Sequence, residues 1–259
     1  MRLPEPIDTP LRTAFGLLVL PAALILYSAA VMLLALRGAQ PERIHSLYVR
    51  YARLCTRFAG TKLEIHGLAN IEPSQPYVVV LNHESALDPV YITLALSDLV
   101  VRFVAKAQTM AIPVLGHALR RTGNVSVVRT DTAYDVKELQ RAMARRHPRV
   151  SFLFCAEGTR SRDGALHAFK MGAFATALDY HLPILPCAIA GNYAIWPKGT
   201  VRLRRGIVVI EVGAPIPIEG LTPGDRAALR DRTHEAVAKL RASARARLRA
   251  RGVEPGGID

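Results

Sequence analysis

The stretch Tyr77–Asp88 reads YVVVLNHESALD and sets a histidine and an aspartate directly behind a short apolar run. The run Tyr77–Leu81 is typical of a buried strand. On a continuous helix, five residues turn through roughly 500°, which would leave His83 and Asp88 about 140° apart. Asp88 precedes Pro89, so it is biased away from the helical region and is predicted to be the N-cap of a helix that runs to Leu96. His83 then lies on a loop, where its ring can fold back to the carboxylate.

A second strand-like run, Val150–Phe154, leads into the loop Cys155-Ala156-Glu157-Gly158-Thr159-Arg160-Ser161-Arg162. Its arginines, hydroxyls and glycine are the groups that hold a phosphate by charge-assisted and backbone hydrogen bonds. An ordinary solvated turn has a similar composition, and Asp-Pro helix caps are common. Taken singly, each loop therefore leaves a functional and a purely structural role open.

Together, in this order and spacing, the two loops resemble the glycerolipid acyltransferase family that includes the 1-acylglycerol-3-phosphate acyltransferases. Asn82–Asp88 is similar to the family signature of histidine, four residues and aspartate. Glu157–Ser161 is similar to its glutamate-glycine-threonine-arginine block. Four flanking pieces also agree: Phe103–Lys106, Ile112–Gly116, Lys170–Phe174 and Ile184–Cys187. The resemblance covers about residues 63–213.

The resemblance implies an enzyme that moves a fatty acyl group from acyl-CoA or acyl-ACP to the sn-2 hydroxyl of lysophosphatidate, giving phosphatidate in phospholipid biosynthesis. Such a transfer needs a base, and neutral imidazole has a suitable pKa, so His83 is the expected base with Asp88 orienting it. No enzyme nucleophile, metal or other cofactor is expected. The expected substrate-binding residues are Glu157, Gly158, Thr159, Arg160, Arg129 and Lys106.

Two departures from the family pattern bear on the acceptor. Ala156 stands where the family usually has proline, which predicts a less rigid loop, and Val128 stands where many lysophosphatidate acyltransferases have aspartate. Another acceptor, such as a lyso-ornithine lipid, is therefore an open alternative. Cys155 leaves open a route in which its thiol carries the acyl group, although a small buried hydrophobe is the simpler interpretation. The alternative from a different class is a non-catalytic protein that binds anionic lipid.

Length and periodicity predict the architecture. The 259 residues, half of them hydrophobic, allow one α/β domain with accessories. We expect a mixed sheet flanked by helices, with an N-terminal membrane-inserting helix. Four parts are predicted: a membrane segment (1–37), an amphipathic linker helix (38–60), the catalytic domain (61–220), and a basic amphipathic helix and tail (221–259). The expected strands are Tyr77–Leu81, Val125–Val128, Val150–Phe154, Ile184–Ile189 and Ile207–Val212, with helices near 89–97, 132–146 and 165–180.

The N-terminus contains an uncharged run of 23 residues, Ala14–Leu36, bounded by Arg12 and Arg37. As a helix it spans the ~30 Å hydrocarbon layer, whereas the apolar part of a cleaved signal peptide has only ~7–15 residues. Pro21 is expected to kink it and leaves a re-entrant helix open. The arginines that follow place the body on the cytoplasmic side of the cell inner membrane. Three cysteines without metal-ligand spacing agree with a reducing compartment.

The net charge of +13 calls for an anionic partner. Nucleic acid is not expected, because aromatics make up 6% of the chain and no recognised binding motif is present. Membrane lipids are the better partner, since a basic surface beside a bilayer gains roughly 1 kcal/mol per Lys or Arg. For the helix in the tail, a solvated charged face is the alternative.

Overall fold

The computed structural model describes residues 9–128, 130–200 and 203–257, with the side chains of residues 9–17 left aside. Within these ranges the strands are β1 (Thr61–His66), β2 (Val78–Leu81), β3 (Val100–Lys106), β4 (Val125–Val127), β5 (Val150–Cys155), β6 (Ile184–Ala190) and β7 (Gly206–Val212). They form one sheet in the order β1-β7-β6-β2-β5-β3-β4. Neighbours are parallel except β6 and β7, which are antiparallel. The expected mixed sheet is confirmed.

The helices in the same ranges are α1 (Thr9–Leu36), α2 (Pro41–Ala59), α3 (Asp88–Ala95), α4 (Ala107–Met110), α5 (Leu115–Arg121), α6 (Thr132–Ala144), α7 (Gly172–Asp179), α8 (Asn192–Ile195) and α9 (Arg226–Ala250). Single 3-10 turns occur at Leu68–Asn70 and Pro223–Asp225. The second turn carries a capping box between Thr222 and Asp225, which starts the predicted tail helix.

The sheet is covered on both faces, as the strand β2 shows. Val78 and Val80 join a core with Phe152 and with residues of α6, α7 and α9. Val79 and Leu81 point the other way and join a core with Leu153 and with residues of α2, α3 and α8. Alternate side chains of a strand face opposite sides, so a continuous apolar run is what a doubly covered strand requires.

Two strands, the short helices α4, α5 and α8, and one helix boundary were not predicted. β1 is an edge strand of mixed polarity, and β3 carries the buried Arg102, so neither forms the simple apolar run that indicates a strand. The helix expected near 165–180 begins only at Gly172. The preceding residues stay extended because Lys170 N–H donates to Ala156 O at 2.7 Å and His167 N–H donates to Glu157 Oε2 at 3.1 Å.

The N-terminal helices form one packed unit. α1 runs through Pro21 without interruption, and the ring of Tyr27 lies 5.6 Å from the ring of Tyr51 on α2. α2 ends at Gly60 in the left-handed region, as predicted. Among the described residues, the segment Leu18–Leu36 is the one helical segment that is long and apolar enough to cross a membrane. Only 11% of this segment is buried inside the protein.

The register of the parallel strands positions the site. Leu81 pairs with Cys155, so β2 and β5 end side by side and the loops after them leave the sheet at the same edge. β3 lies parallel to β5 on its other side and ends at Lys106. Crevices outside the carboxyl ends of parallel strands are where α/β sheets bind ligands.

Candidate active site

His83 and Asp88 meet as predicted. His83 Nδ1 lies 2.7 Å from Asp88 Oδ2, and since a carboxylate oxygen can only accept, the ring proton is on Nδ1. The other ring nitrogen, Nε2, remains for substrate. Only 16% of the His83 side chain is exposed, whereas the Asp88 side chain is fully buried.

The expected capping role of Asp88 is wrong. Asp88 is the first residue of α3, and Leu87 is the N-cap. Oδ2 of Asp88 accepts hydrogen bonds from the backbone N–H groups of Glu84 at 2.7 Å and Ser85 at 2.8 Å. The loop folds back over the carboxylate before the helix begins, so the carboxylate stabilises that turn instead of the helix end.

Asn192 is a site residue that the motifs did not indicate. It is fully buried at the start of α8, and its Nδ2 donates to Asp88 Oδ1 at 2.6 Å. A usable signal was present, because Gly191-Asn192 directly follows the buried strand β6, and Gly191 adopts a φ of +92° that lets the chain turn there. Both carboxylate oxygens of Asp88 are thus held.

Glu157 joins the two loops. Its Oε1 accepts the backbone N–H of His83 at 2.7 Å, and its Oε2 accepts that of His167. Ser161 N–H then donates to His83 O at 2.8 Å. Glu157 is 5% exposed and burial raises the pKa of its carboxyl group, which the two backbone N–H groups oppose. Its carboxylate therefore faces the protein interior and orders the site.

A cavity of about 530 Å³ opens beside His83. Its polar end includes Cys155, Thr159 and Arg160. Its remaining walls are largely apolar and come from α1, α2, α3, α5 and β3, including Leu24, Tyr27, Val31, Leu47, Val90, Phe103, Leu115 and Leu119. The cavity thus leads from the candidate base to the N-terminal helices.

Cationic groups gather at the polar end. Lys106, Arg160 and Lys198 all line the cavity. Lys198 Nζ donates to Thr159 Oγ1 at 3.2 Å. Partial desolvation, and then the positive charges of Arg162, Arg160 and Lys106, lower the pKa of Lys198. Cations that repel one another in this way favour an anionic ligand between them.

One residue of this cluster was not predicted, and one predicted residue stays untested. Lys198 was not predicted, because its Trp-Pro-Lys-Gly segment has the composition of a solvated turn. The predicted Arg129 lies outside the described residues. Gly158 serves the loop geometry, with a φ of +77° and its N–H donating to Cys155 O at 2.9 Å.

Ala156, one of the two departures from the family pattern, and the alternative acyl carrier Cys155 both have a defined place in the structure. Ala156 N–H donates to Leu81 O at 3.3 Å, a bond that proline could not form. Ala156 is also buried, so backbone pairing holds the loop where proline would have stiffened it. Cys155 and His83 both line the cavity.

Comparison with known proteins identifies the family of the chain. A family model described as Acyltransferase matches residues 62–190. The 1-acyl-sn-glycerol-3-phosphate acyltransferase alpha of Homo sapiens is 31% identical over 222 residues, covering 83% of this chain and 75% of that protein. The chloroplastic 1-acyl-sn-glycerol-3-phosphate acyltransferase BAT2 of Brassica napus is 38% identical over 157 residues, 60% of this chain and 45% of that protein.

A solved structure shares the fold. The crystal structure of the 1-acyl-sn-glycerophosphate acyltransferase PlsC from Thermotoga maritima superposes with a TM-score of 0.75 at 23% identity, covering 90% of this chain and 94% of that one. The matched block, residues 62–190, contains most of β1 and all of β2 to β6, and β7 lies beyond its end. The chain belongs to the acyltransferase family that contains the 1-acyl-sn-glycerol-3-phosphate acyltransferases.

Proposed function

We propose that this acyltransferase moves a fatty acyl group from an acyl-CoA or acyl-ACP thioester to the free sn-2 hydroxyl of lysophosphatidate, giving phosphatidate. The observation that carries the proposal is the position of His83, with its Asp88 partner, between a cationic cluster and an apolar cavity. Lysophosphatidate has a phosphate, a hydroxyl and an acyl chain in a similar arrangement. The relatives from Homo sapiens and Brassica napus are 1-acyl-sn-glycerol-3-phosphate acyltransferases, which supports the same acceptor.

In the proposed reaction, His83 Nε2 takes the proton from the acceptor hydroxyl as its oxygen attacks the thioester carbonyl. Asp88 stabilises the imidazolium that forms and keeps Nδ1 protonated throughout. Collapse of the tetrahedral intermediate expels the thiolate of the carrier, which takes the proton back from His83. The acyl group passes directly from donor to acceptor, so the step requires no enzyme nucleophile.

The cationic end of the cavity would bind the acceptor phosphate. Arg160 and Lys106 were predicted for this role, and Lys198 joins them because it lines the same cavity and reaches Thr159. Arg offers a planar fork to phosphate, whereas each Lys contributes a point charge. The apolar walls would hold acyl chain, and about 530 Å³ lies within the usual range for a ligand pocket.

We also propose that α1 inserts into the cell inner membrane and that the catalytic body lies on the cytoplasmic side. Large side chains of α1 remain exposed, including Leu18 and Leu26, as expected of a surface that meets lipid. Leu24, Tyr27, Ser28 and Val31 form part of the cavity wall, which supports retention of α1 over cleavage as a signal peptide. Arg37, Arg43 and Arg50 follow the helix and favour the cytoplasmic side.

The proposal is tested by acyl transfer in membranes that contain the wild type or His83→Ala. With acyl-CoA and acyl-ACP offered as donors, wild type should acylate lysophosphatidate, and the variant should lose at least about 10²-fold in rate. A panel that includes a lyso-ornithine lipid identifies the acceptor. Preference for that lipid would overturn the choice of lysophosphatidate, and lipid binding without any transfer would favour the non-catalytic alternative.

Lys198→Met should raise the KM for lysophosphatidate and lower kcat/KM by about 10- to 100-fold, because a charge-assisted contact to phosphate is lost. Steady-state kinetics with varied acceptor measures the effect. Lys239→Met is the matched control, since Lys239 is exposed on α9 and pairs with Glu235 at 2.6 Å. Equal KM values for Lys198→Met and the wild type would remove Lys198 from the phosphate site.

The pH profile of kcat/KM should report His83. Burial lowers the pKa of His83, but Cys155 and the Asp88 carboxylate together raise it more, so it lies above its ordinary value. Imidazole is a base only when neutral, so activity should rise as pH increases through this pKa and be lost below it. Cys155→Ala removes one of the groups that raise the pKa, so its profile should shift to lower pH while the rate at high pH stays near that of the wild type.

Cys55→Ala, which alters a buried thiol on α2, is the control for the profile and should leave it unchanged. A Cys155→Ala enzyme that is inactive at every pH would show that the thiol carries the acyl group. An unshifted profile would show that Cys155 does not influence His83.

Leu18→Lys combined with Leu26→Lys should release the protein from membranes, because a charge placed in the hydrocarbon layer costs roughly 2.5–3.5 kcal/mol per residue on insertion scales. Fractionation by centrifugation measures this. Tyr134→Lys with Val136→Lys, on the exposed face of α6, should leave membrane attachment intact. A doubly substituted α1 that still sediments with membranes would contradict the assignment.

A further inference from the structure

The basic helix α9 does more than present charge to solvent or lipid. Two of its arginines, Arg241 and Arg245, are only 6% and 3% exposed. A buried guanidinium is costly unless ion pairs and hydrogen bonds compensate for the lost water. Arg241 has its partners on the loops of the candidate active site, and Arg245 donates to the C-terminal tail. The expectation that the arginines of this helix lie on a lipid-facing or solvated surface is therefore wrong for these two residues.

Arg241 contacts both loops at once. Its Nε lies 3.6 Å from Glu84 Oε1, and Glu84 is the residue that follows His83. Its Nη2 donates to the backbone oxygen of Gly164, at the end of the loop that carries Arg160. A single guanidinium therefore bridges the loop of the base and the loop of the phosphate cluster.

Glu84 is built into the scaffold behind His83. It is 2% exposed, and its Oε2 accepts the backbone N–H of Tyr193 at 3.3 Å. Burial and the nearby Asp88 raise the pKa of Glu84, whereas Arg241 and Arg245 oppose that shift. Tyr193 OH in turn donates to Arg162 O at 2.8 Å, which gives a second link to the arginine-bearing loop.

The C-terminal tail also contacts Gly164, the residue that Arg241 binds. Arg245 Nη1 donates to Gly256 O at 2.9 Å. Gly164 and Gly257 are in such close contact that a Cβ on Gly164 would lie 2.4 Å from the Gly257 Cα atom. Arg241 and the tail thus hold Gly164 from two sides.

We propose that Arg241 is a positioning residue, which fixes the separation between His83 and the phosphate-binding loop so that the acceptor phosphate and hydroxyl engage together. This inference rests on the proposed function. It does not follow from the motifs, because Arg241 lies more than 70 residues beyond both loops in the sequence. It contacts the loops at Glu84 and Gly164, which are not among the predicted site residues.

The test compares Arg241→Met with Arg247→Met. Arg247 lies on the same helix, but its Nε pairs with Glu211 Oε1 at 2.6 Å on β7. A displacement of about 1 Å in a reacting group can cost about 10²-fold in rate. Arg241→Met should therefore lower kcat/KM by about 10²-fold and raise the KM for the acceptor, leaving the KM for the thioester within about two-fold, and Arg247→Met should leave both KM values unchanged.

The KM for the acceptor distinguishes a positioning role from a loss of folded protein. A smaller fraction of folded enzyme lowers the apparent kcat and leaves KM unchanged, whereas a displaced phosphate-binding loop raises KM. If Arg241→Met does not fold, Glu84→Gln keeps the shape of the contact, removes its ionic attraction, and should raise the acceptor KM in the same direction. Unchanged KM values in the variant that folds would overturn the inference. Failure of the proposed function is distinct, since the wild type itself would then not acylate lysophosphatidate, and the comparison would be repeated with the acceptor it uses.

Discussion

The architecture of the site depends on one buried carboxylate. Asp88 receives the His83 ring and the backbone N–H groups of Glu84 and Ser85 on Oδ2, and the side chain of Asn192 on Oδ1. Those bonds tie the end of β2, the start of α3 and the end of β6 to a single group. A fully buried carboxylate is tolerated only when donors replace its water, so the loop has little freedom to place the ring elsewhere.

The second constraint comes from the parallel sheet. In-register pairing of Leu81 with Cys155 brings the two loops out side by side, and Glu157 then binds the backbone of His83. His83 and the arginine-bearing loop are therefore parts of one hydrogen-bonded unit. α9 contacts that unit through Arg241, which pairs with Glu84, and α1 and α2 form part of the wall of the cavity beside His83. The accessory helices at both ends of the chain thus contribute to the site.

Local signals were enough to predict the α/β class, the strand β2 and the pairing of His83 with Asp88. Each depends on a few neighbouring residues, such as an apolar run or an Asp-Pro boundary. Lys198 and Arg241 could not be found in this way, because their roles depend on contacts between distant segments. The arginines of α9 were read as a solvated or lipid-facing surface because helical periodicity does not reveal the buried carboxylate that α9 meets. The edge strand β1 was not predicted, because it lacks a uniform apolar run.

The central claim is that His83 acts as a base whose orientation depends on the Asp88 carboxylate. Asp88→Asn tests this most directly. The asparagine side chain has the same size, but one carboxylate oxygen is replaced by an NH₂ group, which cannot accept the hydrogen bonds that Asp88 accepts in the wild type. The expected result is a loss of about 10⁴-fold in kcat, by comparison with a serine protease triad, with a thermal unfolding transition retained in detergent and lysophosphatidate still bound. A folded Asp88→Asn enzyme with near-normal turnover would show that His83 does not depend on the carboxylate.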